Sequence, residues 1–351
     1  MDNHELQKFI GGSELTVLEA MQKIDRNACG ILFIVDCLEK LIGCITDGDI
    51  RRYLLAGGKM DGSVLDAANP SPRSARTLDE ARLLYHERDY IVIPIVSDDG
   101  RMIDLYSGEQ GKRKKKHRHT IDIPVVINAG GRGTRLEPYT KVLPKPLIPV
   151  GDLPIIEHIM KEYQSYGCED FHIIVNYKRE LLKSYFSDSE NHYSIMWYNE
   201  TEPLGTGGGL SLLRGKINST FFFANCDVLL TANYNSMLKF HKENGNVITM
   251  VCAYKSFVVP YGVVEMGVNG EIQNMKEKPH MSFLINTGIY IVEPEVIDDM
   301  EDGVAVDFPD IVSMEKAKGK RVAVFPVSEN DWMDMGQLPE LEKMRIRLYG
   351  E

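Results

Sequence analysis

The sequence is poor in the features that mark a secreted or membrane-bound chain. It has six cysteines in 351 residues (Cys29, Cys37, Cys44, Cys168, Cys226 and Cys252) and no Cys-x-x-Cys pair. Each lies in or beside an apolar stretch, the setting of a buried free thiol and not of a disulfide framework or a zinc site. A cytoplasmic, reducing location is therefore expected. No apolar run approaches the ~20 residues that cross a bilayer. The first residues, Met1-Asp2-Asn3-His4-Glu5, lack the basic and apolar regions of a signal peptide. Excess positive charge is also missing: the net charge of −11 argues against a general nucleic-acid binder.

What is present is ordinary globular material, 43% apolar and 26% charged, in a chain long enough for two domains of ~100–200 residues each. One segment stands apart. Lys112 to His119 reads KRKKKHRH. Like charges at that density repel and solvate, so the run predicts an exposed linker. It has no interleaved aromatics, which speaks against a nucleic-acid patch; electrostatic contact with a partner subunit or an anionic ligand stays open. The expected division is 1–111, a linker over 112–120, and 121–351.

Before the linker a pattern occurs twice. The first copy has a helical stretch over Thr16–Asn27, the apolar run Ile31–Val35, a turn, and Leu41–Ile45 leading to Thr46-Asp47-Gly48-Asp49. The second has a helical stretch over Thr77–Arg88, the run Ile91–Val96, the turn Asp98-Asp99-Gly100, and Met102–Tyr106. Helix, strand, turn, strand, repeated once, predicts a tandem of small α/β units, neither able to bury its apolar face alone. This part resembles a pair of CBS modules, from about Glu14 to Glu109. The resemblance implies a regulatory nucleotide at the "G-x-x-T-x-x-D" end of a module, here Gly43, Thr46 and Asp49 with Asp47 between them. A Thr hydroxyl and a carboxylate are suited to phosphate and ribose. The second module has no matching Thr and Asp. A purely structural reading, with Asp47 and Asp49 capping the next helix, stays open beside it.

From Pro124 onward apolar runs alternate with helical stretches. Strands are expected at Val125–Asn128, Phe171–Val175, Ser194–Tyr198, Phe221–Asn225, Ile248–Tyr254 and Thr287–Val292. Helices are expected at Ile155–Tyr166, Glu180–Phe186, Gly208–Leu213, Tyr234–His241 and Leu338–Leu348. The pattern predicts an α/β fold, Rossmann-like, with a mixed, mostly parallel sheet and helices on both faces. Ligands of such sheets sit beyond the carboxyl ends of the strands.

At one such end stands AGGRGTRLEPYTKVLPKPL, Ala129–Leu147, with three glycines, three prolines, two arginines and two lysines. It is not a dinucleotide fingerprint, because Leu136 stands where the third glycine belongs. It is not a Walker A loop, because no Gly-Lys-Ser/Thr closes it. The amides of Gly130, Gly131, Gly133 and Thr134 can still form a phosphate-cradling nest. Arg135 offers a fork for phosphate oxygens, and Lys145, between Pro144 and Pro146, offers a second cation on a stiffened backbone.

The stretch from Gly130 to Val150 resembles the signature of sugar-1-phosphate nucleotidyltransferases, "G-G-x-G-T-R-L-x-P-x-T-x-x-x-P-K-P-L-x-P-V", with one added residue before "P-K-P-L". Later segments follow in that family's order: Glu202–Gly208, Phe223–Asp227 with Cys226 in place of glycine, Tyr261–Val264, Glu277-Lys278-Pro279, Asn286-Thr287-Gly288 and Trp332–Gly336. The resemblance implies the reaction of an NTP with a sugar 1-phosphate to give an NDP-sugar and pyrophosphate. It implies Arg135 and Lys145 as the catalytic cations, and Gly130, Gly131, Gly133, Thr134, Gly205 and Thr206 around the nucleotide. Gly262, Glu277, Lys278 and Asn286 would bind the sugar phosphate, and Asp227 and Asp334 would bind Mg2+. Each keeps a plainer alternative: Asp227 as a turn cap, Lys278 as a solvated lysine with Glu277 as its ion-pair partner, Asp334 as a structural residue. Asn128 either reaches the nucleotide or satisfies a strand-end carbonyl.

The order of parts resembles bacterial guanylyltransferases of surface-sugar pathways. That implies GTP, with an amino-sugar 1-phosphate such as glucosamine 1-phosphate, as in legionaminic acid synthesis. Mannose or heptose guanylyltransferases, uridylyl- or thymidylyltransferases acting on glucose or N-acetylglucosamine 1-phosphate, and a non-catalytic NDP-sugar sensor remain alternatives. A homo-oligomer is expected; a nucleic-acid or membrane partner is not.

Overall fold

The computed structural model describes residues 3–27, 29–87, 92–108, 120–188 and 193–350. The basic run Lys112–His119, and with it the expected linker up to residue 119, lies outside the described residues, as do Arg88 and Ile91. The chain divides into two compact units, Met1–His117 and Arg118–Glu351.

In the first unit β1 (Ile10–Gly12) pairs parallel with β2 (Ile31–Val35), and β2 pairs antiparallel with β3 (Leu41–Thr46). Helix α1 (Val17–Asn27) crosses between β1 and β2, and α2 (Asp47–Leu55) leaves β3. The α1 face Val17, Ala20, Met21 and Ile24 is buried, the i, i+3, i+4, i+7 stripe of an amphipathic helix. The second half repeats the order. Ala75 bridges Ile95 in parallel, α3 (Leu78–Glu87) follows, and β4 (Ile93–Val96) pairs antiparallel with β5 (Met102–Tyr106). Ala75 thus takes the place that β1 has in the first half.

The second unit is built on a seven-stranded sheet. Its strands are β6 (Val125–Ala129), β7 (Asp170–Val175), β8 (Ser194–Asn199), β9 (Phe221–Asn225), β11 (Ile248–Val258), β14 (His280–Val292) and β15 (Val322–Ser328). The order is β8-β7-β6-β9-β14-β11-β15. All neighbours run parallel except β14, which is antiparallel to both β9 and β11. Smaller ribbons accompany it, among them β10 (Val228–Leu230) with β16 (Trp332–Asp334), and β12 (Val263–Met266) with β13 (Ile272–Lys276).

The apolar run Val125-Val126-Ile127 has a use for each residue. Val125 and Ile127 join a core with Ile155, Ile159 and Tyr163 of α4 (Ile155–Gln164). Val126 joins the opposite core with Phe223, Tyr290 and Phe308. Side chains alternate across a strand, so a sheet covered on both faces needs a continuous apolar run. The helices α5 (Arg179–Asp188), α6 (Tyr234–Glu243), α7 (Phe308–Ala317) and α8 (Leu338–Tyr349) complete the layers.

Two differences from the sequence reading have local causes. Strands expected at Ile248–Tyr254 and Thr287–Val292 extend to Val258 and back to His280, because a bulge at Val251/Cys252 lets the pair continue as an arm beyond the sheet. The stretch Gly208–Leu213 is a 3-10 segment and not an α-helix, its first turn being glycine-rich. Helix α7 and the strands β10, β12, β13, β15 and β16 were not anticipated.

Candidate active site

The register places Asn128 beside Asn225 and Ala129 beside Val175, so β6, β7 and β9 end together. The glycine stretch leaves from that edge. Asn128 Nδ2 donates to the Thr206 carbonyl at 3.0 Å, and its Oδ1 accepts the Gly130 N–H at 3.3 Å. Asn128 thus ties the glycine stretch to the 204–208 loop.

Gly133 is needed twice over. Its φ is +65°, and a Cβ there would stand 2.9 Å from Thr140 Cγ2 and 3.1 Å from Lys145 Cβ. Thr140 Oγ1 donates to the Gly133 carbonyl at 3.0 Å, and Lys178 Nζ donates to the Thr140 carbonyl at 3.2 Å. The turn Thr134–Leu136 buries Leu136 and leaves Arg135 at the surface. Pro144 is extended, and Lys145–Leu147 makes a tight turn anchored by buried Pro146 and Leu147.

This backbone delivers Lys145 to Asp227. Their side chains, each 12% exposed, form an ion pair. Burial works against the charged ammonium, yet Asp227, reinforced by Asp334, outweighs it and raises the Lys145 pKa above the ordinary lysine value. Asp334 is brought alongside by the β10–β16 ribbon, in which Val228 pairs with Asp334 and the Met335 N–H donates to the Asp227 carbonyl at 2.9 Å. Burial and the neighbouring Asp227 charge push the Asp334 carboxyl up; the Gly336 N–H, at 2.7 Å, and then Lys145 and Arg135 oppose this.

Asp227 and Asp334 are two neighbouring carboxylates, partly buried, with one buried cation, Lys145, facing both. Among the described residues no cluster of three or more His, Cys, Asp or Glu side chains forms a protein-only cage. The pair instead fits a hard cation that takes one or two carboxylates and completes its shell with water and phosphate oxygens.

The remaining expected residues lie on other elements of the same unit. Tyr261-Gly262 and Glu277-Lys278 meet at the root of the β12–β13 hairpin, where the Lys278 N–H donates to the Tyr261 carbonyl at 3.3 Å. A Cβ at Gly262 would stand 2.9 Å from Glu277 Oε2. Thr287 and Gly288 occupy the bulge, and Asn286 adjoins it. Asn286 Nδ2 donates to Tyr290 Oη at 2.6 Å, its Oδ1 accepts the Gly288 N–H, and Gly288, at φ +79°, lies against the Asn225 side chain. Thr206 is fully engaged: its N–H and hydroxyl donate to Asp307 Oδ1 at 2.9 and 3.0 Å, and its hydroxyl accepts the Phe308 N–H. A groove of about 570 Å³ lies beside this loop, lined by Gly205, Val306, Asp307 and Asp310, and not over Lys145 and Asp227.

Sequence reasoning missed Glu200. It is 3% exposed, and a Cβ at Gly130 or Gly209 would stand 2.6 or 2.7 Å from its carboxylate. Burial raises its pKa; Asn176 and the Leu204 N–H oppose this, while Oε1 accepts no well-formed hydrogen bond. A glutamate in Glu200-Thr201-Glu202 reads as solvated; the glycines that make room for it, at 130 and 209, were the available signal. In the first unit Thr46 and Asp49 form a capping box on α2. Asp49 Oδ2 accepts the Thr46 hydroxyl at 2.6 Å and the Thr46 N–H at 2.9 Å, and Asp49 also pairs with Arg52. Asp47 opens the same helix.

The chain is similar to known proteins over its second unit. Mannose-1-phosphate guanylyltransferase 1 of Arabidopsis thaliana is 33% identical over 234 residues, 64% of this chain and 64% of that protein. The mannose-1-phosphate guanyltransferase of Schizosaccharomyces pombe is 37% identical over 232 residues, 60% of each chain. The chain thus spans less than two thirds of the length of these relatives. HddC from Yersinia pseudotuberculosis, solved alone and in complex with GMP-PN, shares the fold; the structure solved alone has a TM-score of 0.51 at 22% identity over 64% of this chain and 99% of its own. Residues 12–56 match the CBS domain model. With residues 124–348 matching the nucleotidyl transferase model, the chain belongs to the nucleotidyl transferase family.

Proposed function

We propose that this chain joins a nucleoside triphosphate, GTP, to a hexose 1-phosphate, releasing pyrophosphate and a GDP-sugar. The observation that carries the reading is the meeting of Lys145, Asp227 and Asp334 at the strand ends beside a glycine-rich loop bearing Arg135. The nucleophile is a phosphate monoester, mostly dianionic at neutral pH because its second pKa is about 6. It needs no general base. One of its oxygens attacks the α-phosphorus; the new P–O bond forms as the bond to the bridging oxygen of the β-phosphate breaks, and pyrophosphate leaves with that electron pair. The task left to the protein is to align two polyanions and offset the charge on the leaving group.

In this reading Arg135 and the amides of Gly130, Gly131, Gly133 and Thr134 hold the β- and γ-phosphates. Lys145 exchanges part of its contact with Asp227 for the reacting phosphates. Asp227 and Asp334 would hold Mg2+, which supplies positive charge at the phosphate oxygens. Lys278 meets the sugar phosphate; Gly262, Glu277 and Asn286 line the sugar. Gly205 and Thr206 border the base, Thr206 by shaping the loop, since its own polar groups are engaged.

One fact supports GTP: the relatives at 33% and 37% identity carry mannose-1-phosphate guanylyltransferase or guanyltransferase names. For the sugar, the amino-sugar of the sequence reading and the mannose of the relatives' names are arms of one test. The first unit is proposed as a CBS-type regulatory domain, joined by the basic linker to a catalytic domain over 121–351, in a reducing cytoplasm. Incubation with Mg2+, each NTP and a panel of sugar 1-phosphates, with pyrophosphate as the readout, is expected to give turnover with GTP and one hexose 1-phosphate. Absence of pyrophosphate from every pair, together with tight NDP-sugar binding, would make the protein a sensor and sink the enzyme reading.

A further inference from the structure

Lys178 lies in the turn between β7 and α5 and has no part in the reaction described above. Its φ is +51°, in the left-handed region. A residue with a long side chain is strained there, and glycine or asparagine takes that conformation at less cost. What lysine adds is its ammonium. Among the described residues that group meets no carboxylate. It donates to the Thr140 carbonyl at 3.2 Å and to the Lys141 carbonyl at 2.5 Å. These carbonyls belong to the four-residue helical turn Tyr139–Val142. No further turn of helix follows to supply them with N–H donors. Tyr177 adds two longer ties. Its hydroxyl donates to the Thr140 carbonyl at 3.4 Å, and its N–H donates to the Gly130 carbonyl at 3.5 Å.

Thr140 passes this anchoring on to the glycine stretch. Its side chain is buried, its hydroxyl donates to the Gly133 carbonyl at 3.0 Å, and its Cγ2 together with the Lys145 Cβ fills the space beside Gly133. A displacement of Thr140 therefore carries Gly133 with it, and with Gly133 the turn that bears Arg135. We propose that Lys178 is a positioning residue for the triphosphate. Its ammonium braces the glycine stretch from behind, so that the amides of Gly133 and Thr134 and the Arg135 guanidinium stand ready before the nucleotide arrives. Donors set in advance bind without the cost of ordering them. The inference rests on the reading of the glycine stretch as a phosphate cradle.

Hydrogen–deuterium exchange and calorimetric titration with GTP, ATP, UTP and dTTP, each with Mg2+, test it on the full chain. Lys178→Met keeps the reach of the side chain and loses the ammonium. The amides of Leu136, Lys141 and Leu143, which donate within the glycine stretch, are expected to exchange faster in this variant. The Kd for the triphosphate that the wild-type chain binds is expected to rise about tenfold, with the Tm close to wild type. Lys178→Arg keeps a cation and is expected to recover most of that affinity. Lys178→Gly relieves the left-handed backbone but lacks the ammonium, so the same weakening is expected and is thereby assigned to the side chain. Wild-type exchange or a wild-type Kd in Lys178→Met, or no recovery with arginine, overturns the proposal. A wild-type chain that binds none of the four triphosphates overturns it together with the reaction, and the wild-type titration tells the two failures apart.

Discussion

Lys145 and Asp227 neutralise one another, and this pairing decides what each substitution does. Removing Lys145 leaves the Asp227 carboxylate nearly buried beside Asp334, two like charges without a cation between them. Breaking a buried pair from one side in this way costs about 3–5 kcal/mol, so Lys145→Ala confounds stability with catalysis. Asp227→Asn is cleaner, because Asp334 still supplies negative charge to Lys145. Its kcat is expected to fall by roughly 100-fold or more, while the Tm and near-UV circular dichroism stay close to wild type. Wild-type turnover in a folded Asn variant would remove Asp227 from the metal role. These residues were readable in the sequence because each sits inside a local pattern, with glycines or prolines fixing the backbone around it. Asp307 was not readable, since what it touches is remote in sequence. Asp307 meets Thr206 at a separation of 101 residues, and no local pattern records such a pairing.

At the scale of elements, the strands with continuous β-branched or aromatic runs were legible nearly to the residue, Phe221–Asn225 among them. Burial on both faces demands such runs, and little else produces them. The β12–β13 hairpin was not legible: both strands are short and largely exposed, and Gly267 and Gly270 lie in the turn that joins them. Helix α7 was missed for a different reason. It begins with Phe308-Pro309, and its N-terminus is set by tertiary contact, with the Thr206 hydroxyl accepting the Phe308 N–H. That contact makes α7 the back wall of the 204–208 loop. Gly207 and Gly208 both donate to the Val306 carbonyl at 3.0 Å, and a Cβ at Gly207 would fall 3.0 Å from the Phe308 nitrogen. Asp307→Ala takes away the acceptor for two Thr206 donors. It is expected to cost about 1–3 kcal/mol of stability and to raise the KM for the nucleotide about tenfold, with a smaller change in the KM for the sugar phosphate. An equal rise in both KM values would mean that the loop does not border the nucleotide.

At the scale of the whole molecule, the two units carry separate cores. Phe9, Phe33 and Val92 centre one in the first unit, and the second unit's sheet is sandwiched by two others. Separate cores predict two thermal transitions in calorimetry. The capping box identifies which is which. Thr46→Ala removes the side-chain acceptor for the Asp49 N–H and is expected to cost about 1 kcal/mol, lowering only the transition of the first unit. That assignment then tests the regulatory reading. A ligand bound at 100 times its Kd stabilises the unit that holds it by about 2.7 kcal/mol. GTP with Mg2+ is expected to raise the transition that Thr46→Ala leaves unmoved. A purine nucleotide held by the CBS module is expected to raise the other, and to lose that effect in the Thr46→Ala variant. The hydroxyl of Thr46 and the carboxylate of Asp49 must partly release one another to take a phosphate and a ribose, so the module binds only if the ligand replaces bonds of 2.6 and 2.9 Å that are already made. A first-unit transition that no adenine or guanine nucleotide moves would leave Thr46 and Asp49 as a helix cap, and the first unit as a scaffold.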